Sequence, residues 1–233
     1  MSRRHEPENQ QTRDVFAAEA SRIYDQQKHL EWMTPSRREE ELLEDTTEGP
    51  EVLSGDEDVS TFLAAESKIR GSQDRGLVIH KLLEEVLSGE VAGDVESLTA
   101  RAERLIREVG RESTPDPAEG LSPTEIAECV ARALTVPEIA AMRPRLIPEF
   151  PVYSVALEGR DERVTAGIVD AIALGADGAI DTVIDWKSDV APTPEIVEKY
   201  RDQVQAYLDA LAISRGLVVF VTTGQVVSVT HRG

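Results

Sequence analysis

The sequence predicts an α/β fold in which one mixed β-sheet is flanked by helices, preceded by an N-terminal helical and acidic extension. Apolar residues recur at helical spacing up to about residue 134. The period then changes to three strand-like segments at 146–157, 163–174 and 180–186, and a helix follows at 194–214. Helices, three meandering strands, a helix and two final strands are typical of an α/β sandwich around one sheet, not of a doubly wound repeat.

The N-terminal third is predicted to be only partly folded. Apolar side chains near helical spacing predict a helix over 11–33, which ends before Pro35 because proline disfavours the helical conformation of its predecessor. Residues 39–58 are acidic without a single cation, which indicates a solvated linker, with a docking tail or a cover for a basic groove as alternatives. The predicted division is an N-terminal helical segment (1–38), an acidic linker whose order stays open (39–70) and a folded domain (71–233).

The folded domain is predicted to begin with a layer of helices. Apolar stripes indicate helices at 75–89 and 94–109, and a third helix at 122–134 has Ser122 as its N-cap and Pro123 at its first position. Prolines allow one further short helical piece between Pro137 and Pro144. The two final strands are predicted at 216–222 and 225–230.

The charge balance is strongly acidic. The chain carries a net charge of −19, and only five of its 25 basic residues are lysines. Many carboxylates with few lysines are typical of halophilic proteins, in which high salt screens the repulsion between like charges. An ordinary acidic protein with an acidic tail is the alternative. Because nucleic-acid binders usually present a basic face, any contact with DNA must be local.

Other sequence features bear on location and on protein class. No apolar run approaches the roughly 20 residues that a transmembrane helix needs, and no apolar stretch follows the basic start as in a signal peptide. We therefore expect a cytoplasmic protein without membrane contact, which agrees with a single cysteine, Cys129. The sequence has no GxGxxG motif or P-loop, which argues against nucleotide hydrolysis.

Two carboxylates and a lysine stand out in the predicted sheet. Asp170 interrupts an apolar strand, and Asp185 and Lys187 lie two residues apart at the end of the next strand, which places them on one face. Charged groups at the end of a buried strand are costly unless they have a partner or a task. Mg²⁺ prefers one or two carboxylates together with water and phosphate oxygens. A metal site for phosphodiester chemistry and a structural Asp–Lys pair are both compatible with this pattern.

Five short motifs lie along the predicted elements: RGLVIH at 75–80, PEFP at 148–151, GIVD at 167–170, IDWKS at 184–188 and YRDQVQAY at 200–207. Together, in this order, they resemble the PD-(D/E)XK nuclease superfamily, and more closely the RecB/AddA-type exonuclease domain found behind helicase motors. The resemblance covers about residues 75–230, with Trp186 and Ser188 as mild departures where the family has Tyr and Thr. It favours the metal site over the structural pair.

The resemblance implies a restriction-endonuclease-like fold and a set of site residues. Asp170, Asp185, Lys187 and Glu149 are the implied catalytic residues, with Glu149 binding a second metal or holding a water or Lys187. His80 is implied to join Asp170 and Asp185 around Mg²⁺ or Mn²⁺. The implied substrate-binding residues are Gln203, Tyr207, Arg75 and Arg201.

The implied function is a magnesium-dependent deoxyribonuclease. It would act as an exonuclease on DNA ends or single strands in recombination or repair, together with a helicase that this sequence does not contain. A nuclease-like domain used only for DNA binding or scaffolding is the alternative, although such domains usually lose a metal ligand. An AddB-type nuclease with an iron–sulfur cluster is excluded, because Cys129 alone cannot supply the thiolates.

Overall fold

The computed structural model describes residues 9–24, 30–35, 59–158 and 161–231. These residues form six α-helices and six β-strands. In chain order they are α1 (Asn9–Tyr24), β1 (Leu30–Met33), α2 (Val59–Ser88), α3 (Val95–Glu108), α4 (Pro123–Thr135), α5 (Pro137–Met142), β2 (Leu146–Glu158), β3 (Asp161–Leu174), β4 (Ile180–Lys187), α6 (Pro194–Leu211), β5 (Arg215–Phe220) and β6 (Gln225–Thr230).

The strands form one mixed sheet, as predicted. Its order is β1-β3-β4-β5-β6, and β2 pairs with β3 beside this path. Strands β3 and β4 are antiparallel, β4 and β5 are parallel, and β5 and β6 are antiparallel. The parallel pair requires a crossover connection, which α6 provides. The predicted α/β class with helices flanking a mixed sheet is therefore confirmed.

Each face of the sheet is covered by a different apolar cluster. Helices α2 to α5 pack on one face, where Ile184 and Trp186 of β4 are buried among helical side chains such as Ile79 and Ile126. Helix α6 packs on the other face through Val204 and other side chains of its buried stripe. Because successive strand residues point to opposite faces, the residues of β4 between these apolar positions belong to the α6 side.

The helix ends follow the predicted capping chemistry. Ser122 accepts a hydrogen bond from the Glu125 backbone N–H and Pro123 occupies the first turn of α4, as predicted. Thr193 caps α6 in the same way, with Pro194 after it. Helix α6 ends at Leu211, and its C-cap, Ala212, adopts a left-handed conformation with a φ of 53°.

The predicted helix over 11–33 is wrong at residues 30–33. The helix ends at Tyr24, and Leu30–Met33 form strand β1. Leu30 and Trp32 alternate with polar or smaller neighbours, as in a strand, but this four-residue run is too short to be recognised beside a helical pattern. Pairing with β3 stabilises this strand through contacts that are distant in sequence.

The described residues divide into two compact units. The smaller one contains α1, β1 and residues of β2 and β3 within Val155–Val164, and the larger one contains the remaining elements. Helix α2 begins at Val59, within the predicted linker 39–70, while the acidic residues 39–58 lie outside the described residues. The predicted domain division stays a prediction. None of the described helices is long and apolar enough to cross a bilayer.

Candidate active site

The pairing of β3 with β4 brings the two predicted carboxylates together. The register pairs Ala171 with Ile184, and Asp170 and Asp185 are the next residues of β3 and β4 beyond this pair. Because successive side chains alternate between faces, both carboxylates lie on the face opposite to Ala171 and Ile184. The sheet thus gathers both carboxylates at one place.

Asp170 is held from two sides. Its Oδ2 accepts a hydrogen bond of 2.7 Å from the Trp186 backbone N–H, and its Oδ1 lies 3.4 Å from Nδ1 of His80 on α2. Burial alone would raise the pKa of Asp170, but His80, Lys187 and the Trp186 N–H together lower it below its usual value. Asp170 is therefore a fixed and ionised carboxylate at neutral pH.

Lys187 is buried, with only 2% of its side chain exposed. Its Nζ lies 3.2 Å from Oδ2 of Asp185, donates to Oε1 of Gln203 at 3.2 Å, and lies 4.4 Å from the centre of the Tyr200 ring. A buried ammonium requires such partners, because losing its hydration is costly. The three partners come from β4 and α6 and hold Nζ beside the carboxylates.

Tyr200 was not among the site residues predicted from the sequence. Its ring faces the Lys187 ammonium, and its hydroxyl donates to Oδ2 of Asp189 at 3.0 Å. The available signal was its spacing, because Tyr200 precedes Gln203 by three residues and so lies on the same helical face. Asp189, in the loop after β4, had no such signal.

Gln203 and Tyr207 both have partners within the protein. Gln203 is 7% exposed and accepts from Lys187, whereas Tyr207 is 1% exposed and donates to the Ile168 carbonyl at 3.0 Å. The Tyr207 ring lies against Gly167, where an added Cβ would stand 2.7 Å from the Tyr207 hydroxyl oxygen. The glycine of the GIVD motif is thus required for α6 to approach β3.

We expect Gly167→Ala to destabilise the fold by about 2 kcal/mol, because an inserted methyl group in a packed site forces neighbouring groups apart. Tyr207 would have to move away and lose its bond to the Ile168 carbonyl. Chemical unfolding measures this loss. Adding Tyr207→Phe to Gly167→Ala should recover part of it, since the hydroxyl oxygen is the nearest clashing atom. An unchanged unfolding midpoint in Gly167→Ala would show that the close approach is not required.

Glu149 is placed on β2 with an unusual backbone. Its φ of 50° is left-handed, which is uncommon for a residue other than glycine and is found most often where function or packing imposes it. Burial raises the pKa of Glu149, and the nearby charges of Asp170 and Glu84 raise it further. Glu149, one of the predicted catalytic residues, therefore shares an acidic environment with Asp170.

The two predicted arginines have different surroundings. The Arg75 guanidinium is 16% exposed and is bonded to protein groups that include Glu125. Arg201 is 42% exposed and lies 3.6 Å from Glu198 on the same helix. Arg201 is thus the more exposed of the two, whereas Arg75 is engaged inside the protein.

The donor set suits a hard divalent cation. Asp170 and Asp185 offer carboxylate oxygens, with the His80 imidazole beside Asp170. Among the described residues, no three His, Cys, Asp or Glu side chains lie together in an arrangement that could hold a metal ion without other ligands.

We expect His80→Ala to raise the Mg²⁺ concentration that gives half-maximal cleavage by about 10-fold, because groups that orient or bind a metal contribute 10- to 100-fold to its affinity. The His80 side chain is 30% exposed, so its loss should change the melting temperature little. Metal titrations of cleavage, paired with thermal melts, measure both quantities. An unchanged titration with a large fall in melting temperature would make His80 a packing residue.

Comparison with known proteins places the chain in a family. One similar solved structure is entitled "Crystal structure of SSO0001" and is 18% identical in sequence. The match covers 66% of this chain and 76% of the chain in that structure, with a TM-score of 0.34. No curated protein matches the chain. The family model of the PD-(D/E)XK nuclease superfamily matches residues 58–224, which include every site residue described above. The chain belongs to the PD-(D/E)XK nuclease superfamily.

Proposed function

We propose that this protein is a Mg²⁺- or Mn²⁺-dependent deoxyribonuclease that hydrolyses phosphodiester bonds at Asp170, Asp185 and Lys187. Membership of the superfamily implies a nuclease, and the contact between the buried Lys187 ammonium and Asp185 is the observation that carries the assignment to these residues. A purely structural ion pair would not need a second carboxylate, Asp170 on the neighbouring strand β3, that also interacts with Lys187.

The proposed mechanism divides the work between the metal ligands and the lysine. Asp170, Asp185 and His80 would hold the cation, which supplies a more acidic bound water and stabilises charge on the phosphate. Lys187 orients the attacking water through Nζ and stabilises the developing anion. Gln203 and Tyr200 keep Nζ in place, and the Trp186 N–H fixes the Asp170 rotamer.

We further propose that the protein is of the RecB/AddA type and acts in the cytoplasm on DNA ends or single strands, in recombination or repair with a helicase partner. The motifs at 75–80, 167–170, 184–188 and 200–207 support this subfamily. In the structure, residues from all four motifs take part in contacts around Asp170 and Lys187. Exposed Arg201 is the proposed phosphate contact, whereas the buried Gln203 and Tyr207 act by holding Lys187 and strand β3 in place.

The alternative is a catalytically silent module that only binds DNA. The retained Asp170, Asp185 and Lys187, with the contacts between them, favour an active enzyme. Incubation with end-labelled linear duplex, closed circular duplex and end-labelled single-stranded DNA, in Mg²⁺ or in EDTA, distinguishes an active nuclease from a silent module. Loss of label from linear DNA with circular duplex intact supports an exonuclease. DNA binding without metal-dependent cleavage of any substrate supports the silent module.

We also propose that the fold is adapted to high salt. The chain has 44 acidic and 25 basic residues, so its surplus carboxylates repel one another. This repulsion extends over a Debye length of about 10 Å at 0.1 M salt, but over only about 3 Å at 1 M. We therefore expect the melting temperature to rise markedly between 0.1 and 2 M KCl. Thermal melts across this range test the proposal, and a flat or falling melting temperature would refute the adaptation without affecting the nuclease assignment.

A further inference from the structure

Arg75 of α2 directs its guanidinium to three segments of the chain. Its Nε and Nη2 donate to the two carboxylate oxygens of Glu125 on α4, at 3.2 and 2.7 Å. Its Nη1 donates to the Ser188 carbonyl at 3.0 Å, and Nη2 also donates to the Thr222 hydroxyl at 3.1 Å. Burial opposes the charge of Glu125, but Arg75 and the Cys129 thiol lower the pKa of Glu125 overall, so this carboxylate stays ionised at neutral pH.

The groups that Arg75 contacts define the end of β4. Ser188 directly follows Lys187, and its carbonyl also accepts from the Thr222 hydroxyl at 2.9 Å. The Lys187 carbonyl accepts from the Val221 N–H at 2.8 Å. Neighbouring Gly76 keeps α2 close, because an added Cβ there would lie 3.1 Å from the Ser188 hydroxyl oxygen. Arg75 therefore holds the backbone from which the Lys187 side chain projects.

We propose that Arg75 is a positioning residue that fixes Lys187 relative to His80, and that it does not contact the substrate. Arg75 and His80 lie on the same helix, so one side chain links the proposed metal ligand on α2 to the strand that carries the lysine. This role rests on the proposed nuclease function. It replaces the substrate-binding role that the sequence motif implies for Arg75.

The surroundings of Arg75 oppose a phosphate contact. To meet a phosphate, the guanidinium would have to leave Glu125, whose carboxylate would then be left part-buried without this partner and would repel the phosphate. The planar fork matches the carboxylate in a bidentate pair, a geometry that lysine cannot reproduce. Arg75→Lys therefore keeps the positive charge and removes the positioning geometry.

Arg101 provides a matched control. It forms the same kind of bidentate pair, with Nε and Nη2 each 2.7 Å from a Glu85 oxygen, and its side chain is 17% exposed. The pair joins α3 to α2 and makes no contact with the end of β4 among the described hydrogen bonds. Arg101→Lys thus reproduces the stability loss of Arg75→Lys without disturbing the support of Lys187.

The experiment compares the two variants with wild type by three readouts. We expect Arg75→Lys to lower kcat by about 10- to 100-fold with little change in KM, because a small displacement of a catalytic group has effects of this size. The salt dependence of DNA affinity should be unchanged, and amide exchange at Val221 should become faster. Arg101→Lys should leave kcat, the salt dependence and the exchange at Val221 as in wild type.

Two results would overturn the proposal. If the slope of log affinity against log salt falls by about 0.7 to 0.9 in a third variant, Arg75→Gln, which removes the charge, Arg75 contacts one phosphate. If Arg75→Lys and Arg101→Lys lose kcat equally, Arg75 contributes only stability. If the wild type shows no metal-dependent cleavage, the proposed nuclease function fails. The positioning role is then tested by amide exchange at Val221, and unchanged exchange in Arg75→Lys rejects it.

Discussion

Replacing Lys187 with methionine is expected to reduce metal-dependent DNA cleavage by about 1,000-fold, the usual effect of removing a group that transfers a proton or stabilises a transition-state anion. Methionine keeps an unbranched apolar stem of similar length, so the packing among Asp185, Gln203 and Tyr200 changes little. Single-turnover cleavage of end-labelled DNA measures the loss. Circular dichroism and thermal melts establish that the variant is folded at the assay temperature.

Lys199→Met is the matched control for this variant. Lys199 is exposed on α6, so its replacement removes the same charge from the surface near the site without entering it. We expect this control to cleave within about 3-fold of wild type, because one exposed charge contributes little. Wild-type cleavage by Lys187→Met would show that the buried lysine is structural.

Replacing Asp185 with asparagine is expected to reduce cleavage by at least about 100-fold, because the neutral amide is a poor ligand for Mg²⁺ and affinity for the metal should fall accordingly. A second readout does not depend on activity. A metal that binds only the folded protein raises its melting temperature. We therefore expect Mn²⁺ to stabilise the wild type and to have little effect on Asp185→Asn.

Asp181→Asn is the control for the metal effect. Asp181 lies on the same strand, four residues earlier, at an exposed position. The variant removes one carboxylate from a strongly acidic protein and so accounts for non-specific binding of cations. Equal stabilisation of wild type, Asp181→Asn and Asp185→Asn by Mn²⁺ would place the metal elsewhere and remove Asp185 from the proposed ligands.

Much of the fold was predictable because its signals are local. The helical stripe before residue 89, the cap at Ser122 and the turn at Thr223 and Gly224 each depend on neighbours within one or two turns. The convergence of Asp170 and Asp185 was also predictable, since a short connection between two strands permits only an antiparallel pair.

The remaining features depend on contacts between distant parts of the chain. Strand β1 exists only because β3 pairs with it, so Leu30–Met33 were mistaken for the end of a helix. The partners of Arg75 lie 50, 113 and 147 residues away in sequence, and no local pattern reveals that its guanidinium is engaged. Tyr200 is the first residue of the motif at 200–207, but its contact with Lys187 depends on how α6 packs on β4.

Single-turnover cleavage of end-labelled DNA by wild type, Asp185→Asn, Lys187→Met and the double variant, each in Mg²⁺ and in EDTA, tests the proposed site most directly. Residues that act as one catalytic unit are strongly non-additive. We predict that wild type cleaves only with the metal, and that the double variant loses little more activity than the worse single variant. Cleavage by wild type in EDTA, or full activity in either single variant, would contradict the proposed site.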